Sequence, residues 1–543
     1  MSFLQDGPQI GNQYAEDDML RRWLRWRLPE QVRGNISEGL FGLGARVVGD
    51  LAQAALDAEA QPPVLNHYDP WGRRVDEIVM ADGWQTLHDA AANEGIVATA
   101  YERKEGEYSR AHQFARLYLF HPSSALYSCP LAMTDGAARV IAELGDEHLR
   151  QRTLQRLTSR NPQEFWTSGQ WMTEKAGGSD VSQTETVATR DGDGYLLSGA
   201  KWFSSAATAD VALTLARAAD REGLGLYYLE TRKADGTFNG IQIDRLKDKL
   251  GTRAMPTAEL TLSNTRAQLI GKHGDGVRNI AGMLNITRLY NSVCAVASMR
   301  RGLALARDYA CRRTAFGRPL MEHVLHRDTL GNLEAHFQSA FHLVFHLGLL
   351  LGREETGSAS DDDRLLLRLL TPVAKLYTAK LAVASASEIL ECFGGNGYIE
   401  DTGLPKLLRD AQVLPIWEGT TNVLSLDVHR VLQHERAKTL YLDDVQRRIA
   451  GEDVRFSAER KRIYEAVAAI RVLPHDREAD ARELALGLGR VYAASLLFEH
   501  ANDMRHSRAA AAALELAMRR ALVGLMAHDS SIVAADVLAR GSA

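Results

Sequence analysis

The hydrophobic period of this chain changes near residue 165 and changes back near 276, and few folds accommodate that order. From about 84 to 160 apolar residues recur at helical spacing, most clearly in the Ala-rich stretch 85–100 and in 135–158. After 165 the text breaks into short segments rich in β-branched and aromatic residues. Turn signals separate them, among them Asp191-Gly192-Asp193-Gly194 and Ala234-Asp235-Gly236. From Gly276 to about 440 long apolar-periodic stretches return, at 283–311, 323–352 and 364–393, with lengths suited to an antiparallel helix bundle. Segment 341–352 is apolar, yet it falls short of the roughly 18 residues that a membrane span needs.

A length of 543 residues exceeds what one core holds, so several domains and room for a large cofactor are expected. The pattern divides an α+β multidomain chain into an extension over 1–60 available for oligomer contact, an N-terminal helical domain over 61–165 and a middle β domain over 166–275. A C-terminal helix-bundle domain over 276–440 and an additional helical region over 441–543 complete it. The opening residues lack a charged segment followed by an apolar one, which predicts a cytoplasmic protein without a membrane anchor. Cys129, Cys294, Cys311 and Cys392 lie far apart, so they predict buried thiols, with neither a metal site nor a disulfide framework.

Lysine and arginine number 64 against 69 acids, a net charge of -5 that lacks the global basic excess of a nucleic-acid-binding chain. Residues 436–543 carry 17 basic against 15 acidic residues. Arg460-Lys461-Arg462, Arg505 with Arg508, and Arg519-Arg520 are the local clusters, and interleaved acids read as a solvated helix surface. The run Arg22-Trp-Leu-Arg-Trp-Arg27 reads as an amphipathic surface or subunit contact before it reads as an anion patch.

Five short segments carry chemistry. In Ile416-Trp-Glu-Gly-Thr-Thr-Asn422 one carboxylate, Glu418, stands among apolar neighbours beside Gly419. Desolvation there would strengthen it as a proton acceptor, although a Glu-Gly pair alone is usually only a turn. Met172-Thr-Glu-Lys-Ala-Gly-Gly-Ser-Asp-Val181 crowds glycines with the hydroxyls of Thr173 and Ser179, a donor set for a flat heterocycle and a phosphate, or an ordinary loop. Gly199-Ala-Lys-Trp-Phe-Ser-Ser205 places aromatic rings beside hydroxyls and is otherwise a plain strand. Arg313-Thr-Ala-Phe-Gly317 offers a guanidinium to a pyrophosphate or ends a helix. Phe393-Gly-Gly-Asn-Gly-Tyr398 lets another chain or an adenine approach the backbone, or caps a helix.

In this order and approximate spacing, the five segments resemble the acyl-CoA dehydrogenase family over roughly residues 80–435. A finer resemblance points to its AidB-like branch. It rests on Tyr68-Asp-Pro-Trp-Gly-Arg-Arg-Val-Asp76, Ser128-Cys-Pro-Leu-Ala-Met-Thr134, Met172-Thr-Glu-Lys, Lys201-Trp-Phe and Ile416-Trp-Glu-Gly, with the long helical tail after 440. The resemblance implies an N-terminal helical domain, a middle β-barrel or sandwich and a C-terminal four-helix bundle. It also implies FAD between β domain and bundle, and a homotetramer built as a dimer of dimers.

Carried over by position, Met172, Thr173, Gly178, Ser179, Phe203 and Ser205 match flavin and phosphate contacts, with Phe203 and Ser205 where Trp and Thr are common. Arg313, Phe316, Gly394 and Gly395 resemble the part that reaches a partner subunit's cofactor, and Thr420 and Asn422 its ribose or adenine end. Glu391 replaces a common glutamine before the glycine pair, which puts one such hydrogen bond in doubt. Arg288 and Gly419 are read as substrate contacts, Arg288 being otherwise a helix salt-bridge partner.

Glu418 matches the catalytic base that takes the pro-R α-proton of an acyl-CoA thioester as hydride leaves the β-carbon for flavin N5. In the family the base's own N–H and a flavin ribityl hydroxyl stabilise the thioester oxygen. Some members place the base just before an arginine on the first bundle helix, here Thr287 before Arg288, and threonine cannot act as that base. The implied electron acceptor is an electron-transfer flavoprotein. Two other readings stay open: an AidB-like flavoprotein whose main role is DNA binding and protection, with weak dehydrogenation, and a flavin oxidase or monooxygenase.

Overall fold

The computed structural model describes residues 6–451, 454–472 and 478–520. The chain divides into two units, Ile10–Ser298, and Met299–Ala543 with Met1–Gln9.

The first unit opens with three helices, α1 (Asp18–Arg27), α2 (Glu30–Arg46) and α3 (Asp50–Ala60). Asp17 caps α1 by accepting from Leu20 N–H at 2.8 Å, and its other oxygen accepts from Tyr118 O–H at 2.6 Å. Within the Arg/Trp run, Arg22, Trp23 and Leu24 are buried, so half of it serves the core. Residues 61–79 depart from the helical expectation. Strands β1 (Val64–Tyr68) and β2 (Arg74–Val79) form a hairpin, because Asp69-Pro70-Trp71-Gly72 makes a turn with Gly72 at φ 82°.

Helices α4 (Asp82–Asn93), α5 (Ala98–Glu102), α6 (Ser109–Phe120) and α7 (Ser128–Leu144) follow. Then come the short α8 (Glu147–Leu149) and α9 (Gln155–Leu157), joined by a π-helical turn. Two of these helices share a buried ion pair. Arg110 on α6 and Asp135 on α7 meet at 2.6 Å with side chains 1% and 0% exposed. Gln113 and Tyr290 also donate to Asp135 Oδ2, at 2.5 and 2.9 Å.

Seven strands make the middle of this unit: β3 (Ser168–Gln170), β4 (Val187–Asp191), β5 (Gly194–Ser205), β6 (Val211–Ala218), β7 (Leu224–Glu230), β8 (Ile241–Leu246) and β9 (Thr257–Ile270). The pairings β4–β5, β5–β9, β9–β7, β7–β6 and β6–β4 close a circuit, while β3 adds to β6 and β8 to β9. The result is a small barrel. Strand β6 is buried on both faces: Ala212 and Ala216 join one apolar cluster with Tyr227 and Leu260, while Val211, Leu213 and Leu215 join another with Ala137, Ile141 and Met283 of the helices. This two-sided burial explains why its sequence lacks the alternation of a half-exposed strand. The hairpin is tied to this barrel. Asp76, 2% exposed, accepts from Ile243 N–H at 3.0 Å and from Arg74 Nε at 2.8 Å.

Helix α10 (Gly276–Arg312) carries the chain into the second unit. There a two-residue hairpin, β10 (Thr314–Ala315) with β11 (Arg318–Pro319), precedes α11 (Val324–Thr356) and α12 (Asp361–Glu391). The remaining helices are α13 (Pro405–Ala411), α14 (Thr421–Leu432), α15 (Glu435–Arg448), α16 (Ser457–Val472), α17 (Ala481–Asp503) and α18 (Arg508–Arg520). Helix α17 packs on α11, α12 and α14, so this helix of the region after 440 is part of the bundle's core. Its Tyr492 donates to Asp444 Oδ2 at 2.6 Å, beside the Asp444–Arg448 ion pair at 2.9 Å.

The cysteine expectation needs correction: Cys294 and Cys392 are buried, Cys129 is half-buried and Cys311 is exposed. Cys311 lies in the last turn of α10, next to the exposed Arg312. Among the described residues no helix is long and apolar enough to cross a membrane.

Removing one member of the Arg110–Asp135 pair leaves the other charge buried. Asp135→Ala should cost about 3–5 kcal/mol, read as a lower denaturant midpoint with unchanged slope; a shift no larger than that of a surface substitution would refute the assignment.

Candidate active site

In the first unit the segment between β3 and β4 carries Met172, Thr173, Gly178 and Ser179, and one carboxylate holds its base. Glu174 is 3% exposed. Its Oε1 accepts from Lys201 Nζ and Thr186 Oγ1, each at 2.6 Å, and its Oε2 accepts from Glu185 N–H at 2.6 Å. Lys201, buried on β5, also donates to Leu215 O on β6 at 3.1 Å. Burial alone would push the Glu174 carboxyl up, but the Lys201 ammonium and the hydrogen bonds outweigh it and hold the group below its ordinary value. Burial draws the Lys201 ammonium below the ordinary lysine value, against the pull of Glu174.

The same segment is aligned with β5 by backbone. Trp202 N–H donates to Thr173 O at 2.9 Å. A Cβ on Gly178 would lie 2.4 Å from Thr173 Oγ1, so glycine is required for this close approach. Met172 packs half-buried against the apolar cluster that includes Met133 and Leu213, while Gly178 and Ser179 are exposed. On β5, Phe203 is exposed and Ser205 Oγ is 3.4 Å from Thr257 Oγ1. Lys247 Nζ stands 3.5 Å from the centroid of the Trp202 ring. Arg288 is half-buried on α10, next to the buried Thr287, whose hydroxyl donates to Leu284 O at 3.1 Å.

In the second unit, Phe316 (φ 51°) and Gly317 (φ 79°) form the tip between β10 and β11, the left-handed pair that a two-residue type I′ hairpin demands. Phe316 is 97% exposed at that tip. Arg313 N–H donates to Tyr309 O at 2.8 Å, and Tyr309 O–H accepts from Asn396 Nδ2 at 3.2 Å. The Tyr309 ring also lies 4.7 Å from that of Phe393. Tyr309 thus joins the Arg313 segment to the Gly394–Gly395 turn, which follows the exposed Glu391 at the end of α12.

Glu418, Gly419, Thr420 and Asn422 share one turn at the start of α14. Glu418 has φ 55° and Gly419 φ 99°. A left-handed backbone costs a non-glycine residue about 1–2 kcal/mol, and the surrounding contacts offset that cost. Lys375, buried on α12, donates to Gly419 O at 2.7 Å. Thr420 Oγ1 accepts from Val423 N–H at 3.4 Å as the N-cap, and Asn422 Oδ1 accepts from Arg482 Nη1 at 2.8 Å. Glu418 is half-buried and Ile416 is 60% exposed, in contrast to the desolvated surroundings expected from the sequence. The cause is local: on a turn ahead of a helix, apolar neighbours in sequence are not neighbours in a core.

Sequence reasoning passed over Glu174 as a structural anchor, together with Lys201, Lys375 and Arg482. For Lys375 a signal was present, a lone cation in the apolar run Leu369-Leu-Thr-Pro-Val-Ala-Lys-Leu376, where a helix buries the face that carries it.

Comparison with known proteins gives this arrangement a class. The family model for the acyl-CoA dehydrogenase C-terminal domain matches residues 274–433, that for the middle domain 169–265, and that for the N-terminal domain of the adaptive response protein AidB 8–163. Acyl-CoA dehydrogenase family member 11 of Caenorhabditis elegans is 43% identical over 92% of this chain and 86% of its own length. AidB of Escherichia coli K12 is 32% identical over 75% of this chain and 76% of its own. The solved structure of C. elegans ACDH-11 in complex with C11-CoA superposes with a TM-score of 0.94 at 41% identity, covering 99% of this chain and 96% of that one.

The chain belongs to the acyl-CoA dehydrogenase family, whose enzymes use FAD. Its N-terminal match sets it in the AidB-like branch of that family.

Lys375→Met removes the hydrogen bond that the buried ammonium donates to the half-buried Gly419 carbonyl, at a cost of about 0.5–1.5 kcal/mol. The expected outcome is a fall of about tenfold in kcat for acyl-CoA oxidation, with KM little changed. Equal kcat in variant and parent would show that the clamp does not govern the turn.

Proposed function

We propose that the chain binds FAD and catalyses α,β-dehydrogenation of an acyl-CoA thioester, with Glu418 as the base. The observation that carries this reading is the Glu418–Gly419 turn, where a carboxylate with left-handed backbone is held by a buried lysine on the following carbonyl. A proton acceptor needs a fixed position relative to the proton it takes, and such a turn supplies it.

The residues present fit FAD. Thr173, Ser179 and Ser205 offer hydroxyls and Arg313 a guanidinium, a donor set suited to a flavin and a pyrophosphate. At Gly395 a Cβ would meet no atom within 4 Å and φ is not left-handed, so the chain's own packing does not demand glycine there. The open space beside Gly395 would, in this reading, admit the close approach of a ligand. In this reading Met172, Thr173, Gly178, Ser179, Phe203 and Ser205 hold the flavin side. Arg313, Phe316, Glu391, Gly394, Gly395, Thr420 and Asn422 hold the nucleotide side. Bound FAD would supply the acceptor for the hydride that leaves the substrate β-carbon.

This chain's own part is proton transfer and orientation. Glu418 takes the α-proton, and the developing negative charge on the thioester oxygen requires donors, for which the N–H of Glu418 is the nearest by sequence. Gly419 and Arg288 line the substrate. Electrons pass onward to an electron-transfer flavoprotein, and the protein works in the cytoplasm as a homotetramer. The near-complete exposure of Phe316 supports that assembly, since an aromatic tip of this kind gains from burial against another subunit.

Glu418→Gln should retain FAD while lowering the rate of anaerobic flavin bleaching by acyl-CoA about 10²- to 10⁴-fold. Acyl-CoAs of graded chain length added to the parent protein name its substrate class. Bleaching at the parent rate in the variant would move the base to another residue.

A further inference from the structure

Glu174 and Lys201 touch none of the reacting atoms of the proposed reaction, yet they sit where two proposed cofactor-binding segments meet. Glu174 follows Thr173 directly, and Lys201 precedes Phe203 and Ser205 on β5. The carboxylate reaches across the loop rather than along it. It accepts from Glu185 N–H and Thr186 Oγ1, which lie eleven and twelve residues further on, and so it closes the base of the glycine-rich loop. The ammonium then fastens that closed base to two strands, through Glu174 Oε1 at 2.6 Å and Leu215 O at 3.1 Å.

Other bonds have the same direction. Trp202 N–H donates to Thr173 O at 2.9 Å, Arg217 N–H to Thr186 O at 2.8 Å and Arg217 Nε to Thr184 O at 2.8 Å. Gly199 makes room for the contact, since a Cβ there would stand 2.5 Å from Thr186 Oγ1. Between the pinned ends, residues 175–180 are exposed and contribute no side chain to the core. The position of Thr173 and Ser179 relative to Phe203 and Ser205 therefore depends on the base of the loop, together with the half-buried Val181, which packs against the apolar cluster that holds Met133 and Leu213.

We infer that the Glu174–Lys201 pair, with Thr186, is the positioning element of the FAD-binding loop, holding the hydroxyls of Thr173 and Ser179 in register with Phe203 and Ser205 on β5. The inference rests on the FAD reading of these segments. A carboxylate is required at 174 because three donors converge on it: an ammonium, a hydroxyl and a backbone N–H. A lysine at that position could pair with a glutamate at 201 but would accept from none of the others.

The test measures FAD dissociation constant, visible flavin spectrum and thermal midpoint in the full-length protein and its variants. The parent must first bind FAD stoichiometrically; failure there sinks the FAD reading itself, before any variant is compared. Glu174→Gln and Lys201→Met are expected to weaken FAD at least about tenfold and to alter the vibrational structure of the flavin band. Thr186→Val, which keeps both charges and secures the test if the first two fail to fold, should shift both readouts in the same direction by a smaller amount. The exchange Glu174→Lys with Lys201→Glu restores charge balance and should not restore affinity or spectrum.

Asp135→Asn, in the buried pair of α6 and α7, serves as the comparison: it should lower the thermal midpoint while leaving FAD affinity and band shape at parent values. Parent-like FAD binding in both Glu174→Gln and Thr186→Val would overturn the inference. So would loss of FAD in Asp135→Asn in proportion to its loss of stability, because the effect would then be that of a weakened fold.

Discussion

Irregular backbone carries most of the proposed chemistry of this chain, and irregular backbone cannot hold itself in place. The Glu174–Lys201 pair shows how the first unit meets that constraint: two charges are taken out of water, and the carboxylate gathers the ends of a glycine-rich loop. The desolvation cost of such a pair is large, and a pair of apolar residues could match its stability. What an apolar pair cannot supply is an acceptor for the Glu185 N–H and the Thr186 hydroxyl. Geometry rather than stability is therefore what the buried charges contribute. The same device recurs at other turns. Asp76 fixes the β1–β2 hairpin to β8 through Ile243 N–H, and Lys375 fixes the Glu418 turn through Gly419 O.

The order of helices, barrel and bundle was legible in the sequence because hydrophobic period is a direct image of which face is buried. The stretches 323–352 and 364–393 correspond to α11 and α12, whose helices need no more information than their own apolar spacing. The hairpin at 64–79 was not legible in this way. Its strands are short and mostly exposed, and what anchors it is Asp76, whose partner Ile243 lies far along the chain. Strands β6 and β7 hide their alternation for the opposite reason, being buried on both faces. For the candidate site, motif order pointed to the segments, whereas the residues that hold them did not stand out. Lys201 looks like a surface lysine until the fold shows it to be buried, and only the apolar run around Lys375 hinted at the burial of that second cation.

The region after 440 bears on the competing DNA-binding reading. Among its described basic residues Arg505 and Arg508 are exposed, whereas others are engaged within the region. Arg448 pairs with Asp444 inside the bundle, Arg460 lies over the Phe498 ring at 5.4 Å, Arg462 donates to Met518 O at 2.9 Å, and Lys461 faces Glu465 at 3.9 Å. Arg519-Arg520 end α18, with side chains outside the described residues. A cation already engaged by a carboxylate or a carbonyl releases few counterions on meeting a phosphate backbone, and counterion release is the main source of such binding. The described part of this region therefore reads as bundle scaffold: α17 fills a face of α11, α12 and α14, and its Arg482 reaches Asn422 beside the Glu418 turn.

That last contact changes how the proposed base should be understood. An α-proton beside a thioester is far less acidic than a carboxylic acid, so a carboxylate at an ordinary position would take it only rarely. The difference must be made up by fixed geometry and by donors aimed at the developing oxyanion. Around Glu418 the chain spends three separate elements on geometry: α12 through Lys375, the N-cap of α14 through Thr420, and α17 through Arg482 on Asn422. Two of those contacts, the lysine on a carbonyl and the arginine on an amide oxygen, are made to atoms of the neighbouring residues. They fix the backbone that bears the carboxylate. A residue held in a left-handed turn by the atoms on either side keeps its side-chain origin fixed whatever the side chain then binds, and that is the requirement a proton acceptor places on its scaffold.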